Sequence, residues 1–168
     1  MSDDRFRPPS AAVADHVPSE FEYVGFWLRV GASMIDTVLL LLVTYPMLLA
    51  VYGIAFLGSS GLAGPGEVVI SYLLPALASI AFWLTRQATP GKMAIFAKVV
   101  DAKSGAKMSV GQAITRYLGY YVSFLALGLG IFWIAVDRRK QGWHDKLART
   151  VVVRPLRSAA TPVRFDGA

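Results

Sequence analysis

Residues 30–57 read VGASMIDTVLLLLVTYPMLLAVYGIAFL, and this stretch decides the fold. Asp36 is the only charge in the 37 residues between Arg29 and Glu67. As a helix rising 1.5 Å per residue, residues 30–57 extend about 42 Å. A bilayer hydrocarbon core is about 30 Å thick, so this segment spans it with length to spare and must tilt, kink or overshoot. Pro46 supplies a kink, because it has no amide to donate and crowds the preceding turn. A carboxylate at the centre of a bilayer costs about 2.5–3.5 kcal/mol on insertion scales. It is tolerated when it is paired, protonated or turned to a wet cavity, which makes Asp36 the first candidate for an ion or proton site.

Upstream, Phe21, Tyr23, Phe26 and Trp27 precede Arg29 as an aromatic belt, with Trp27 at the lipid interface. Residues 1–20 form a polar tail with Pro8, Pro9 and Pro18. They cannot bury a core and are expected to be disordered. No apolar h-region lies near Met1, so the tail is not read as a signal peptide. Downstream, Gly58–Gly66 is a turn-rich loop without lysine or arginine.

A second apolar segment covers residues 68–85, contains Pro75 and ends at the anchors Trp83 and Arg86. Residues 86–116 then carry six basic side chains against Asp101 alone. Within them, 95–100 is expected as a short strand, 102–105 as a turn and 106–109 as a return strand. Residues 117–136 are twenty residues without a charge, long enough to span, interrupted by Gly128 and Gly130. Thr150–Val153 is expected to pair with the 95–100 strand.

The charge pattern sets up a conflict of topology. Positive residues favour the cytoplasmic side. If the basic 86–116 region is cytoplasmic, a single crossing by 117–136 places the basic C-terminal stretch outside. A helical hairpin broken at 128–130 that re-enters the cytoplasm removes the conflict, and this arrangement is preferred over a third span. The fold class is therefore an all-α membrane protein with two to three transmembrane helices, the third as a re-entrant hairpin, and a small cytoplasmic β element. One membrane domain covers residues 21–154, between the 1–20 tail and a disordered 155–168 tail.

Composition agrees. The 168 residues are 55% hydrophobic and 17% charged, with mean hydropathy +0.49, whereas soluble domains carry about 25% charged residues. There is no cysteine, and His16 and His144 are too few for a zinc site, so neither metal nor cofactor is expected. The net charge of +6 is explained by basic residues flanking apolar runs, and no aromatic–basic stacking platform for nucleic acid is present. No catalytic set, phosphate loop or dinucleotide fingerprint appears, so an enzyme is not expected.

Arg29 and Asp36 lie on one helix face about 10 Å apart along the axis, too far for a direct pair. Arg116 and Arg86 are candidate partners for Asp36 from neighbouring segments. Prolines 46 and 75 free the carbonyls of Leu42 and Ser71, although a simple kink is the preferred explanation. Residues 137–146, DRRKQGWHDK, are the densest polar cluster. Asp137 ends a helix and needs basic company. His144 beside Asp145 offers a proton relay. The preferred reading is an interfacial staple, with Trp143 at headgroup depth, Arg138 and Arg139 snorkelling, and Asp145 bonded to Arg29 or to loop amides. Thr89-Pro90-Gly91-Lys92 is expected as a tight turn leaving the membrane, with Lys92 near anionic headgroups. Gly119 and Ser123, four apart, allow close helix approach.

Taken in order, these motifs resemble the RDD family of small integral membrane proteins. Phe26-Trp27-Leu28-Arg29 followed by Ile35-Asp36 matches its first helix. Thr89-Pro90-Gly91-Lys92, Val99-Val100-Asp101 with Gly105, Arg116, and the basic run from Arg138 through His144-Asp145 to Val153 match the rest. The resemblance covers residues 21–154 and implies that Asp145 is the second name-giving aspartate, with Asp137 as the alternative. Phe96 and Arg149 stand where the family usually has glycine. The expected location is the inner (plasma) membrane, multi-pass, with the N-terminus placed in the cytoplasm by the charge bias of the loops. The resemblance further implies transport of a cation or proton, sodium/proton exchange in some members, by a homo-oligomer or with a membrane partner. A non-transporting adaptor or assembly factor that binds partner proteins or anionic lipid is the alternative.

Overall fold

The computed structural model describes residues 21–58 and 63–156; the expectations for residues 1–20 and 157–168 lie outside them. Helix α1, Phe26–Tyr52, is followed by a 3-10 turn, Ile54–Gly58. It stops at Gly53, whose φ of 70° turns the chain while its amide still bonds Leu49 O at 2.9 Å. Its buried residues are few: Arg29, Ala32, Thr44 and Leu48. The apolar remainder faces outward, as it must in lipid.

Helices α2 (Pro65–Val68) and α3 (Leu74–Arg86) are continuous through a π-helical turn, Val69–Leu73. Pro75 cannot donate to Ser71, and the Leu74 amide reaches back five residues to Val69 O. The freed carbonyl is thus absorbed in a local widening of the helix. Together they form a 22-residue candidate span, the second after α1.

The short helix α4, Pro90–Ala94, follows at once. Here the expected tight turn at Thr89–Lys92 is one turn of helix with Pro90 at its start, where a missing amide is harmless. Strand β2 is Lys98–Asp101, shorter than the expected 95–100. Ile95 and Phe96 instead form the exit from α4, and Phe96 is left-handed with φ 57°. The expected return strand at 106–109 is only an isolated bridge between Val100 and Lys107.

Helix α5, Val110–Leu125, opens with a capping box: Gln112 N donates to Ser109 Oγ at 3.2 Å, and Ser109 N to Gln112 Oε1 at 2.9 Å. Helix α6, Leu129–Val136, follows after a 100° bend, and α7 is Trp143–Leu147. The break falls at 126–128, so it includes Gly128 but not Gly130, which is inside α6, and Leu127 and Gly128 are both left-handed.

The sheet has the order β1-β3-β2, all antiparallel, with β1 at Phe21–Tyr23 and β3 at Thr150–Pro155. Pairing of β3 with β2 runs from Lys98 opposite Val153 to Asp101 opposite Thr150, which meets the expectation for these segments. The β1 strand was not legible as one, since three residues of an aromatic belt carry no readable alternation. Pro155 belongs to β3, so the ordered domain continues past the expected boundary at 154. The valine-rich β3 is central because both its faces are covered: Val152 joins Val24, Trp83, Val99 and Met108, and Val151 and Val153 pack with Val100.

The sheet also settles the path of the third apolar run. β1 leads into the start of α1 and β2 follows the end of α3. β3 lies between them, so the chain returns after α6 to the side where α1 begins. The bent α5–α6 pair therefore leaves from the sheet side and returns to it, with Leu125 and Leu127 exposed at the bend.

Candidate functional site

Two polar centres lie near the sheet end of the helices. The first is built on Asp145, which is 0% exposed. Arg29 Nη1 bonds its Oδ2 at 2.5 Å, Arg116 Nη1 bonds its Oδ1, and Gly142 N donates to Oδ2 at 3.0 Å. The two guanidiniums are themselves fixed. Arg29 donates to Val24 O at 3.0 Å and Lys140 O at 2.6 Å; Arg116 donates to Thr150 Oγ1 at 2.7 Å and lies over the rings of Trp83 and Tyr120. One carboxylate thus ties together α1, α5, α7 and β3.

Small residues make the approach possible. A Cβ on Gly119 of α5 would lie 2.8 Å from His144 Cα, and one on Gly130 of α6 would lie 2.8 Å from Ser123 Cα. The small positions 119 and 123 thus give the close helix approach expected of them, here within this chain. His144 stacks on Tyr120 with centroids 4.0 Å apart. Burial, and then the cations Arg116, Arg29 and Lys92, outweigh the pull of Asp145 and push the His144 imidazole down to about 3. It is neutral at physiological pH, and its 3.6 Å separation from Asp145 Oδ1 is not a relay bond. Burial alone would raise Asp145, but Arg116 and Arg29 hold it well below the ordinary carboxylate range.

The second centre is built on Asp36, half-buried on α1. Thr89 Oγ1 donates to Oδ2 at 2.6 Å and Gly91 N to Oδ1 at 2.6 Å. Asp36 thereby caps α4 from another helix, answering amides that a short helix leaves open. Gly91 is obligatory here, since a Cβ would stand 1.9 Å from Ala32 O. Lys92 is 6% exposed and donates to Thr89 Oγ1 at 3.5 Å, giving a chain Lys92–Thr89–Asp36. The expected arginine partners are elsewhere: Arg116 serves Asp145, and Arg86 is exposed at the end of α3. The reason is α4, which places backbone and hydroxyl donors at Asp36 first.

A cavity of about 850 Å³ opens beside this centre between α1, α3 and α5, lined by Asp36, Thr89, Lys92 and Tyr117 among apolar side chains. A second cavity of about 410 Å³ is lined by Arg29, Ser33, Lys92, Tyr120 and His144, with Met34 and Val38 at its edge. Lys92 lies on the walls of both.

The structure brings Arg29, Arg116, His144 and Asp145 together and sets Asp36 apart. Asp137 belongs to neither centre. It caps α6, pairs with Lys146 at 2.5 Å and accepts from Arg139 N and Gln141 N, each at 3.1 Å. At the expected lipid interface Trp27 is 81% exposed, Arg138 is exposed and Trp143 is partly covered. Lys92 is corrected: it is buried, because α4 tucks under α1 in place of emerging as a turn. Thr89 and Lys92 were missed as members of the Asp36 centre, although the T-P-G-K motif marked the position. Among the described residues no group of three metal-ligating side chains forms.

A helical membrane protein with two apolar spans, a bent helical pair, a three-stranded cap and two carboxylate centres is the class these features define. The family model of the RDD family matches residues 23–149, and this chain belongs to that family, whose proteins are membrane proteins. It is 31% identical over 147 residues to the uncharacterized protein YxaI of Bacillus subtilis (strain 168), covering 77% of this chain and 95% of that protein. It is 36% identical over 75 residues to the uncharacterized protein RP437 of Rickettsia prowazekii (strain Madrid E), covering 45% of this chain and 41% of that one. No solved structure matches.

Proposed function

We propose that this protein is a cation/proton exchanger of the inner membrane, with its N-terminus and sheet in the cytoplasm, acting as an oligomer. The observation that carries the proposal is the Lys92–Thr89–Asp36 chain on the wall of the 850 Å³ cavity. Each Asp36 oxygen accepts one hydrogen bond and keeps a further lone pair for a cation. A monovalent cation arriving at Asp36 brings one positive charge. One proton leaving the site removes one, so the site exchanges cation for proton at constant charge. Two spans and a hairpin do not enclose a pathway, which supports assembly of several copies. The side of the sheet carries the exposed Lys98, Lys103, Lys107 and Arg149, and the opposite loop has no basic residue, which supports the orientation. The same basic face favours the second reading, a non-transporting adaptor that holds a partner or acidic lipid surface.

The test is purified protein in liposomes containing a pH dye, with an imposed sodium gradient. Wild type is expected to move protons and Asp36→Asn to fall to the empty-vesicle level. Should wild type itself show only that level, sodium/proton exchange is lost and the adaptor reading stands. Equal flux through both proteins removes Asp36 from the mechanism.

A further inference from the structure

Lys92 has less company than its burial requires. The interior between α1, α4, α5 and α7 holds three cations, Arg29, Lys92 and Arg116, against two carboxylates, Asp36 and Asp145. His144 is neutral there, so one positive charge is in excess. Asp145 is held by two guanidiniums and an amide, and Asp36 meets Lys92 only through Thr89. Among the described residues no carboxylate lies within salt-bridge distance of Lys92, and its bond to Thr89 Oγ1, at 3.5 Å, is a long one. A buried, uncompensated ammonium costs several kcal/mol, and an anion held beside it removes that cost.

The 410 Å³ cavity offers the place. Lys92, Arg29, Tyr120 and Ser33 supply charge and donors on its inner wall, and neither acidic residue lines it. Its outer edge is Met34 and Val38 on α1 and Ile131 on α6, of which Met34 is 65% and Val38 55% exposed on the helix surface that meets lipid. A basic inner wall behind an apolar, bilayer-facing rim fits an amphiphile entering sideways and head first. We infer that this cavity is a binding site for an acidic phospholipid, its phosphate on Lys92 and its acyl chain along Met34, Val38 and Ile131. The site goes beyond ion exchange and does not depend on it.

The experiment titrates phosphatidylglycerol, in parallel with phosphatidylcholine, into the full-length protein in neutral detergent. It follows the thermal unfolding midpoint and counts retained lipids by native mass spectrometry. Wild type is expected to keep one phosphatidylglycerol and to be stabilised saturably by it but not by phosphatidylcholine. Lys92→Gln should need at least about tenfold more lipid, as for loss of a charge-assisted contact. Lys98→Gln, an exposed lysine of the sheet, should behave as wild type. Val38→Phe keeps every charge and narrows the rim, so it decides the matter if Lys92→Gln does not fold, and it too should weaken binding. Equal response to both lipids, or wild-type binding by Lys92→Gln or, should that variant not fold, by Val38→Phe, overturns the site. Equal protection by inorganic phosphate overturns the lipid and leaves a free-anion site.

Discussion

Asp145 and Asp36 are both carboxylates near the sheet end of the helices, yet their surroundings differ in kind. Asp145 is fully enclosed by two arginines, which also donate to the Val24 and Lys140 carbonyls and to Thr150, while the buried Arg116 Nε has no partner. This carboxylate joins four elements and borders neither cavity. Asp36 is half-buried, meets only neutral donors and stands on a cavity wall. A carboxylate saturated by guanidinium is a fastening, since moving either partner strands a buried charge. One held by a hydroxyl and an amide beside open volume can change partners at modest cost. The pair teaches that an ionisable group within a membrane protein is judged by what remains unused around it.

The sharpest way to break this contrast is to neutralise each acid in turn. Asp145→Asn leaves two buried arginines without their counter-charge and is expected to cost about 3–5 kcal/mol in unfolding measurements in detergent. Asp36→Asn should cost only about 1 kcal/mol while abolishing exchange. Equal losses from the two would erase the distinction between fastening and site. Next in size, Gly91→Ala drives a Cβ against Ala32 O and must push α4 off α1, at about 3 kcal/mol. Gly31→Ala, with nothing within 4 Å, is the control and should be near neutral.

Mild acidity probes the Asp145 side through its neighbour His144. His144 takes a proton at about 3 when folded and near 6.5 when unfolded. Between these values the unfolded chain binds more protons, so stability falls as pH falls. From pH 6.5 to 5 the loss is about 2 kcal/mol, and His144→Gln should flatten it. Asp145, lowered in the fold, adds its own loss only once pH drops into the ordinary carboxylate range and below. A flat wild-type profile from pH 6.5 to 5 means that water reaches His144. The smallest effect has the opposite sign. Phe96 and Arg149 adopt left-handed φ of 57° and 52°, so Phe96→Gly or Arg149→Gly should each stabilise by about 1 kcal/mol. Phe96→Ala should give no such gain.

Those two residues also show how far a motif reaches. Phe96 is 73% exposed, and its position is set by a left-handed backbone turn and not by a side-chain contact; Arg149 is left-handed as well. The staple between Asp145 and Arg29 was legible because buried opposite charges must find each other and few are present. Lys92 was misplaced because nothing local distinguishes a lysine that leaves the membrane from one that α4 folds inward.

Local chemistry was enough for the spans, the central valine strand and the return of the hairpin. Hydrocarbon admits only long apolar helices, and basic residues resist crossing. The partners of Asp36, the enclosure of Asp145 by residues 116 positions before it and 29 before it, and the cavities around Lys92 belong to the tertiary structure. They arise where α4, α7 and the hairpin pack together, and contacts between segments far apart along the chain leave no periodic trace in either segment alone.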